Sequence, residues 1–111
     1  MDQVARYSEI IKRILNEHAA LKPSHGDIET EVICDDAQGH YELMHSGWSG
    51  NHRIHGSAIH LDLRNGKIWI QHDGTERGVA GELMEAGIPP QHIVLAFQAP
   101  YQRKHTQFAQ E

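Results

Sequence analysis

Arg53–Glu76 reads RIHGSAIHLDLRNGKIWIQHDGTE, and its centre decides the fold. Arg64-Asn65-Gly66-Lys67 places Asn-Gly between two alternating apolar runs. Both central residues of a type I′ turn need positive φ, and Asn-Gly supplies them, so the stretch is a β-hairpin. On its first arm Ile59, Leu61 and Leu63 share one face; on its second, Ile68 and Ile70 continue it. Ile54 is out of phase with the first three, and a β-bulge at Gly56 would restore the phase. Trp69 points to the opposite face, near His60 or Asp62 across the ladder. After Asp73 the period changes from two to that of a helix. Asp73 and Glu76 have capping-box spacing, with Thr75 as an alternative cap.

Working outward, Val79, Ala80, Leu83, Met84 and Ala86 form an amphipathic helix that Gly87 ends and Pro89-Pro90 prevents from continuing. His92 to Phe97 is a short apolar strand, and Pro100 to Glu111 a tail with Arg103, Lys104, His105 and Phe108. Upstream, Ile28 to Cys34 and Tyr41 to His45 alternate as strands around an Asp- and Gly-rich turn at Asp35–Gly39. Ser46 to Asn51 reads as a loop. Met1 to about Ala20 is helical, with Val4, Tyr7, Ile11, Ile14 and Leu15 at helical steps and Ile10 beside them. Pro23, Ser24 and Gly26 stop that helix and form a loop.

The order predicts an α+β fold: N-terminal helix, antiparallel four-strand meander, second helix, short fifth strand and C-terminal tail, in one domain over residues 1–111. Both helices are expected on one face of the sheet. The other face then carries Trp69, His60 and Asp62, open to a partner or to self-association as a homo-oligomer.

Composition narrows the function. The net charge is −5 with His neutral, against the basic footprint of an autonomous DNA-binding domain. Asp27 to His45 holds six acidic residues and no Lys or Arg, a surface that repels phosphate. The basic clusters, Arg53 with Arg64 and Lys67 near Trp69, and Arg103 with Lys104, are small, so any DNA contact is expected to be indirect. The single Cys34 excludes an intrachain disulfide framework and, lying in an apolar run, is expected to be buried and inert. No apolar run reaches the ~18 residues of a membrane span, and the N-terminus is not signal-like, which points to the cytoplasm.

The 10 histidines prompt a metal reading through His52, His55, His60 and His72 with Asp62 and Asp73. Strand alternation puts His52 and His55 on opposite faces, and leaves His60, Asp62 and His72 as a loose cluster for a small metal-dependent enzyme. His60 with Asp62 or Asp73 would make a general-base pair. Neither has a local signature of catalysis, and Gly47–Gly50 is too short for a phosphate loop. The residues therefore assign no catalytic group, metal or cofactor.

Short blocks along the chain resemble the XisI family: Arg53-Ile54-His55-Gly56, His60-Leu61-Asp62, Gly66-Lys67-Ile68-Trp69-Ile70-Gln71 and Asp73-Gly74-Thr75-Glu76. The pattern continues through Ala86-Gly87-Ile88-Pro89, Ile93 to Phe97, Pro100, Arg103, Thr106 and Phe108-Ala109. The resemblance implies a cyanobacterial controlling factor for excision of the fdxN DNA element. Such a factor is accessory to a site-specific recombinase and acts with a companion, XisH, by protein contacts rather than catalysis. Family members carry no agreed catalytic residues, so none transfers. The contact surface expected on that reading is Trp69, His60 and Asp62 with Arg103, Lys104 and Phe108. Because XisH-like companions look nuclease-like, an acidic neutralising partner of such a nuclease is the second expectation.

Overall fold

The computed structural model describes residues 2–21 and 27–111; the loop expected at Pro23, Ser24 and Gly26 lies outside them. Helix α1 spans Gln3–Ala19, and the Asp2 carboxylate accepts from the Ala5 backbone N–H at 2.8 Å to cap it. Strands β1 (Asp27–Asp35), β2 (His40–Ser49), β3 (His52–Arg64) and β4 (Lys67–Asp73) form the expected antiparallel meander. Helix α2 (Val79–Glu85) and a 3₁₀ turn (Pro90–His92) carry the chain to β5 (Ile93–Leu95), which pairs with β4 in parallel. A parallel neighbour needs a crossover, which α2 supplies. The sheet order is β1-β2-β3-β4-β5, and a one-turn helix α3 (Pro100–Arg103) opens the tail. No helix among the described residues is long and apolar enough to cross a membrane.

The helices cover one face. Tyr7, Ile11, Ile14 and Leu15 of α1 and Val79 and Leu83 of α2 close over Tyr41, Leu43, Ile59, Leu61, Ile68 and Ile70 in one core. His18 on α1 pairs with Glu82 on α2 at 2.7 Å. Tyr7 is fully buried, and its hydroxyl meets His92 Nδ1 at 2.6 Å, tying α1 to the approach to β5. Val4, read with the apolar face, is 52% exposed in the first turn of α1.

Asn65 and Gly66 have φ of 54° and 74°, as the type I′ turn requires. The phase-restoring bulge exists, but at Ala58 rather than Gly56: Leu43 faces Ile59 and Met44 faces Ser57, leaving Ala58 unpaired. Its carbonyl accepts from the Gly74 N–H at 2.8 Å, so the bulge grips the exit of β4 instead of needing a glycine. A second bulge, at Gln71, lies where His60 faces His72 and Leu61 faces Ile70.

Four other expectations change. Ser46 to Ser49 is strand, not loop, and β2 turns into β3 through Gly50-Asn51, with Gly50 at φ 62°. The last strand stops at Leu95, because Ala96 and Gln98 turn their N–H groups back to Val94 and Leu95. The start of α2 is Val79, and Glu76 does not close a capping box: the Asp73 carboxylate accepts from Thr75 N–H and Val79 N–H instead. Cys34 is exposed, since it lies near the end of the edge strand β1; partial enclosure still pushes its thiol up from the ordinary range.

Candidate functional site

The uncovered face of the sheet has a polar centre built by register. His40 on β2 stands directly opposite Asp62 on β3, and His60 lies two residues from Asp62 on the same face. Glu42 faces His60, and Trp69 on β4 faces Asp62 from the other side. The bulge at Gln71 aims that amide at Asp62, in keeping with the tendency of bulges to re-aim side chains.

Asp62 is the hub and is buried, at 7% exposure. Its Oδ1 receives His40 Nδ1 at 2.6 Å and His60 Nε2 at 3.0 Å, and Gln71 Nε2 donates to its Oδ2 at 3.1 Å. An ionised carboxylate only accepts, so both rings turn an N–H toward it. Burial pushes the Asp62 carboxyl up, but the His40 hydrogen bond and the charge and hydrogen bond of His60 outweigh it and hold the group below its ordinary value. His40, bonded to Asp62 and drawn by its charge, is raised in turn. The two rings meet edge to face, with centroids 6.2 Å apart, and the Glu42 carboxylate stands 3.7 Å from His60 Nδ1.

Beside this cluster, Trp69 is half-buried. The Arg64 guanidinium lies 4.7 Å and that of Arg103 6.0 Å from its ring, and its indole N–H donates to the Arg64 carbonyl at 3.3 Å. The tail folds back along β5: Ala109 N–H donates to Ile93 carbonyl at 2.9 Å. Val94 faces Trp69 in the register and is fully buried, so the tail closes that end of the face. Arg103 donates to the carbonyls of Leu95, Ala96, Gln98 and Gln110. Phe108 packs against the core, and Lys104 is exposed.

Of the residues singled out by sequence, His60, Asp62 and Trp69 are thus neighbours on one face, with Arg103 at its border. Arg103 and Phe108 anchor the tail, and Lys104 projects from it. His72, though opposite His60, is exposed and does not join the Asp62 cluster; His52, His55 and Asp73 lie outside it too. The ligand atoms of His40, His60 and Asp62 fall within 4.8 Å of one another. His40 was not among the sequence candidates. Counting back from a Gly50-Asn51 turn, with one bulge, would have put it opposite Asp62.

Away from this face, Asp36 accepts from Lys12 Nζ at 2.7 Å, Tyr41 Oη at 2.7 Å and Ser8 Oγ at 2.8 Å, which holds its carboxyl at about 2. On the edge strand Asp27, Glu29, Glu31 and Asp35 are exposed.

The family model described as XisI protein matches residues 1–110. Two crystal structures share the fold. A XisI-like protein from Anabaena variabilis ATCC 29413 is 40% identical, with a TM-score of 0.90 over 96% of this chain and 97% of that one. The fdxN element excision controlling factor XisI from the same organism is 32% identical, with a TM-score of 0.86 over 99% of this chain and 100% of that one. No curated protein matches.

Proposed function

The chain belongs to the XisI family, and from that premise we propose that it is a non-catalytic accessory factor for excision of a DNA element, working through protein contacts. The observation that carries this reading is the one-sided sheet: helices and core occupy one face, while the other presents Trp69 beside the His60–Asp62 centre. A half-buried tryptophan flanked by arginines has the composition of an interface anchor. Lys104 extends the surface along the tail that Arg103 and Phe108 hold in place. The partners are a XisH-like companion, a site-specific recombinase or both, and the setting is the cytoplasm. DNA is reached through them, because a net charge of −5 gives the chain little phosphate attraction of its own. Self-association through the same face would compete with them.

The test is an excision reporter with the element, recombinase and companion supplied, with and without this chain, and with Trp69→Ala. Excision that needs the chain and falls with Trp69→Ala, in a variant that stays folded and loses companion capture, is the expected result. Excision at the same rate without the chain overturns the reading.

The exposed acids of β1 favour a second reading, in which the chain neutralises a nuclease-like companion by presenting Asp27, Glu29, Glu31 and Asp35 where phosphates would lie. Harm from the companion expressed alone, relieved by this chain, is the expected outcome; harmless expression removes the idea.

A further inference from the structure

Two imidazoles converge on one oxygen of a buried carboxylate on the uncovered face of the sheet. The same three atoms, each a metal-ligand atom, converge on one point of that face. We propose that His40 Nδ1, His60 Nε2 and Asp62 Oδ1 form a binding site for a divalent transition-metal ion of the zinc class.

The donor set fits. Two imidazole nitrogens and one carboxylate oxygen suit zinc and its neighbours, not magnesium or calcium, which prefer oxygen. The spacing is close to that of a shell, on the tight side. Metal–ligand bonds of about 2.0–2.2 Å place ligand atoms about 3.3 Å apart in a tetrahedral shell. Here Asp62 Oδ1 lies 2.6 Å from His40 and 3.0 Å from His60, with all three ligand atoms within 4.8 Å. A small outward movement of His40, whose side chain is 56% exposed, opens the room, and each ring then turns a lone pair inward in place of an N–H.

The surroundings are those of a built site. Metal-bound histidines and carboxylates are commonly oriented by outer partners. The Gln71 amide fixes Oδ2 of Asp62, which leaves Oδ1 facing the rings. Glu42 stands on the Nδ1 side of His60, which leaves Nε2 for the ion. All the ligands sit on paired strands rather than loops, so the sheet presets their geometry. His40 lies at the exposed rim, leaving a side of the ion open to solvent or to a donor from a bound protein.

The experiment is titration of the chelator-stripped whole chain with Zn²⁺ against a chromophoric competitor, and with Co²⁺ followed by visible absorption. The expected result is one ion per chain, lost in both His40→Gln and His60→Gln, weakened about 10–100-fold in Gln71→Leu, and unchanged in His72→Gln and in His52→Gln/His55→Gln. The wild-type chain gives a check that no variant can spoil: Zn²⁺ is expected to shift the imidazole nitrogen resonances of His40 and His60 and leave those of His72 in place. Binding that survives loss of His40 or His60, binding that vanishes with His52 and His55, or no stoichiometric binding overturns the proposal.

Discussion

Asp36 and Asp62 show how the same side chain takes different roles by what surrounds it. Asp62 is buried beneath two rings and an amide, whereas Asp36 stands exposed at a turn and holds Lys12, Tyr41 and Ser8. The Lys12 hydrogen bond, then those of Tyr41 and Ser8, keep the Asp36 carboxyl at about 2 against an ordinary 3.8. A carboxyl lowered on folding stabilises the native state above its unfolded value, and that contribution disappears as pH falls through the folded one. Asp36→Asn is therefore expected to lower the melting temperature at pH 5. The gap to wild type should close between about pH 4 and pH 2, as melts at several pH values will register; a gap that stays constant down to pH 2 refutes the assignment. None of this was legible in sequence, where Asp35-Asp36 reads only as turn chemistry. Lys12 and Asp36 are far apart in the chain, and only the packing of α1 over the first hairpin joins them.

At the scale of elements, what was legible is what local chemistry dictates. Asn65-Gly66 announces its turn because few residues tolerate its φ values, and the alternation around it fixes which face is core. The bulge could be inferred from the phase of Ile54 but not placed, because this bulge is closed by a carbonyl bond to Gly74 and asks nothing special of Ala58. Ser46 to Ser49 looked like loop by composition, yet pairing on both sides holds it in the sheet. The cap of α2 misled in the same way: the Asp73 carboxylate reaches Val79 at 2.8 Å, beyond the capping-box spacing. Asp73→Ala is expected to cost about 0.5–2 kcal/mol and Glu76→Ala, exposed and unbonded at the cap, within about 0.5 kcal/mol. Urea midpoints will separate them, and equal losses would restore the capping box.

The tail is an element of another kind, organised by one side chain. Arg103 bonds four carbonyls from both sides of α3, a geometry that needs the planar fork of a guanidinium. Arg103→Lys retains the charge but not the fork, and the part-buried Ala96 and Gln98 carbonyls left without its N–H groups cost about 1–3 kcal/mol. The expected result is a chain destabilised on that order, with faster amide exchange at Ala109; exchange unchanged at Ala109 would show that the tail is held by Phe108 instead.

For the whole molecule, the sheet divides into a core face packed by the helices and an outer face left free of them. Ile59 is fully enclosed between sheet and helices, and truncating such a residue leaves a cavity. Trp48 is larger but 51% exposed, with the Arg53 guanidinium 5.4 Å from its ring. Ile59→Ala is expected to cost about 2–5 kcal/mol, and Trp48→Ala under about 1 kcal/mol, the order of an exposed cation–π contact. Residue size alone predicts the reverse order, so denaturant unfolding of the two variants reads out which face holds the protein together. A loss for Trp48→Ala as large as for Ile59→Ala would mean that the outer face is packed in solution, against a second copy of the chain. Light scattering of the wild type then distinguishes that assembly from a monomer whose outer face awaits another protein.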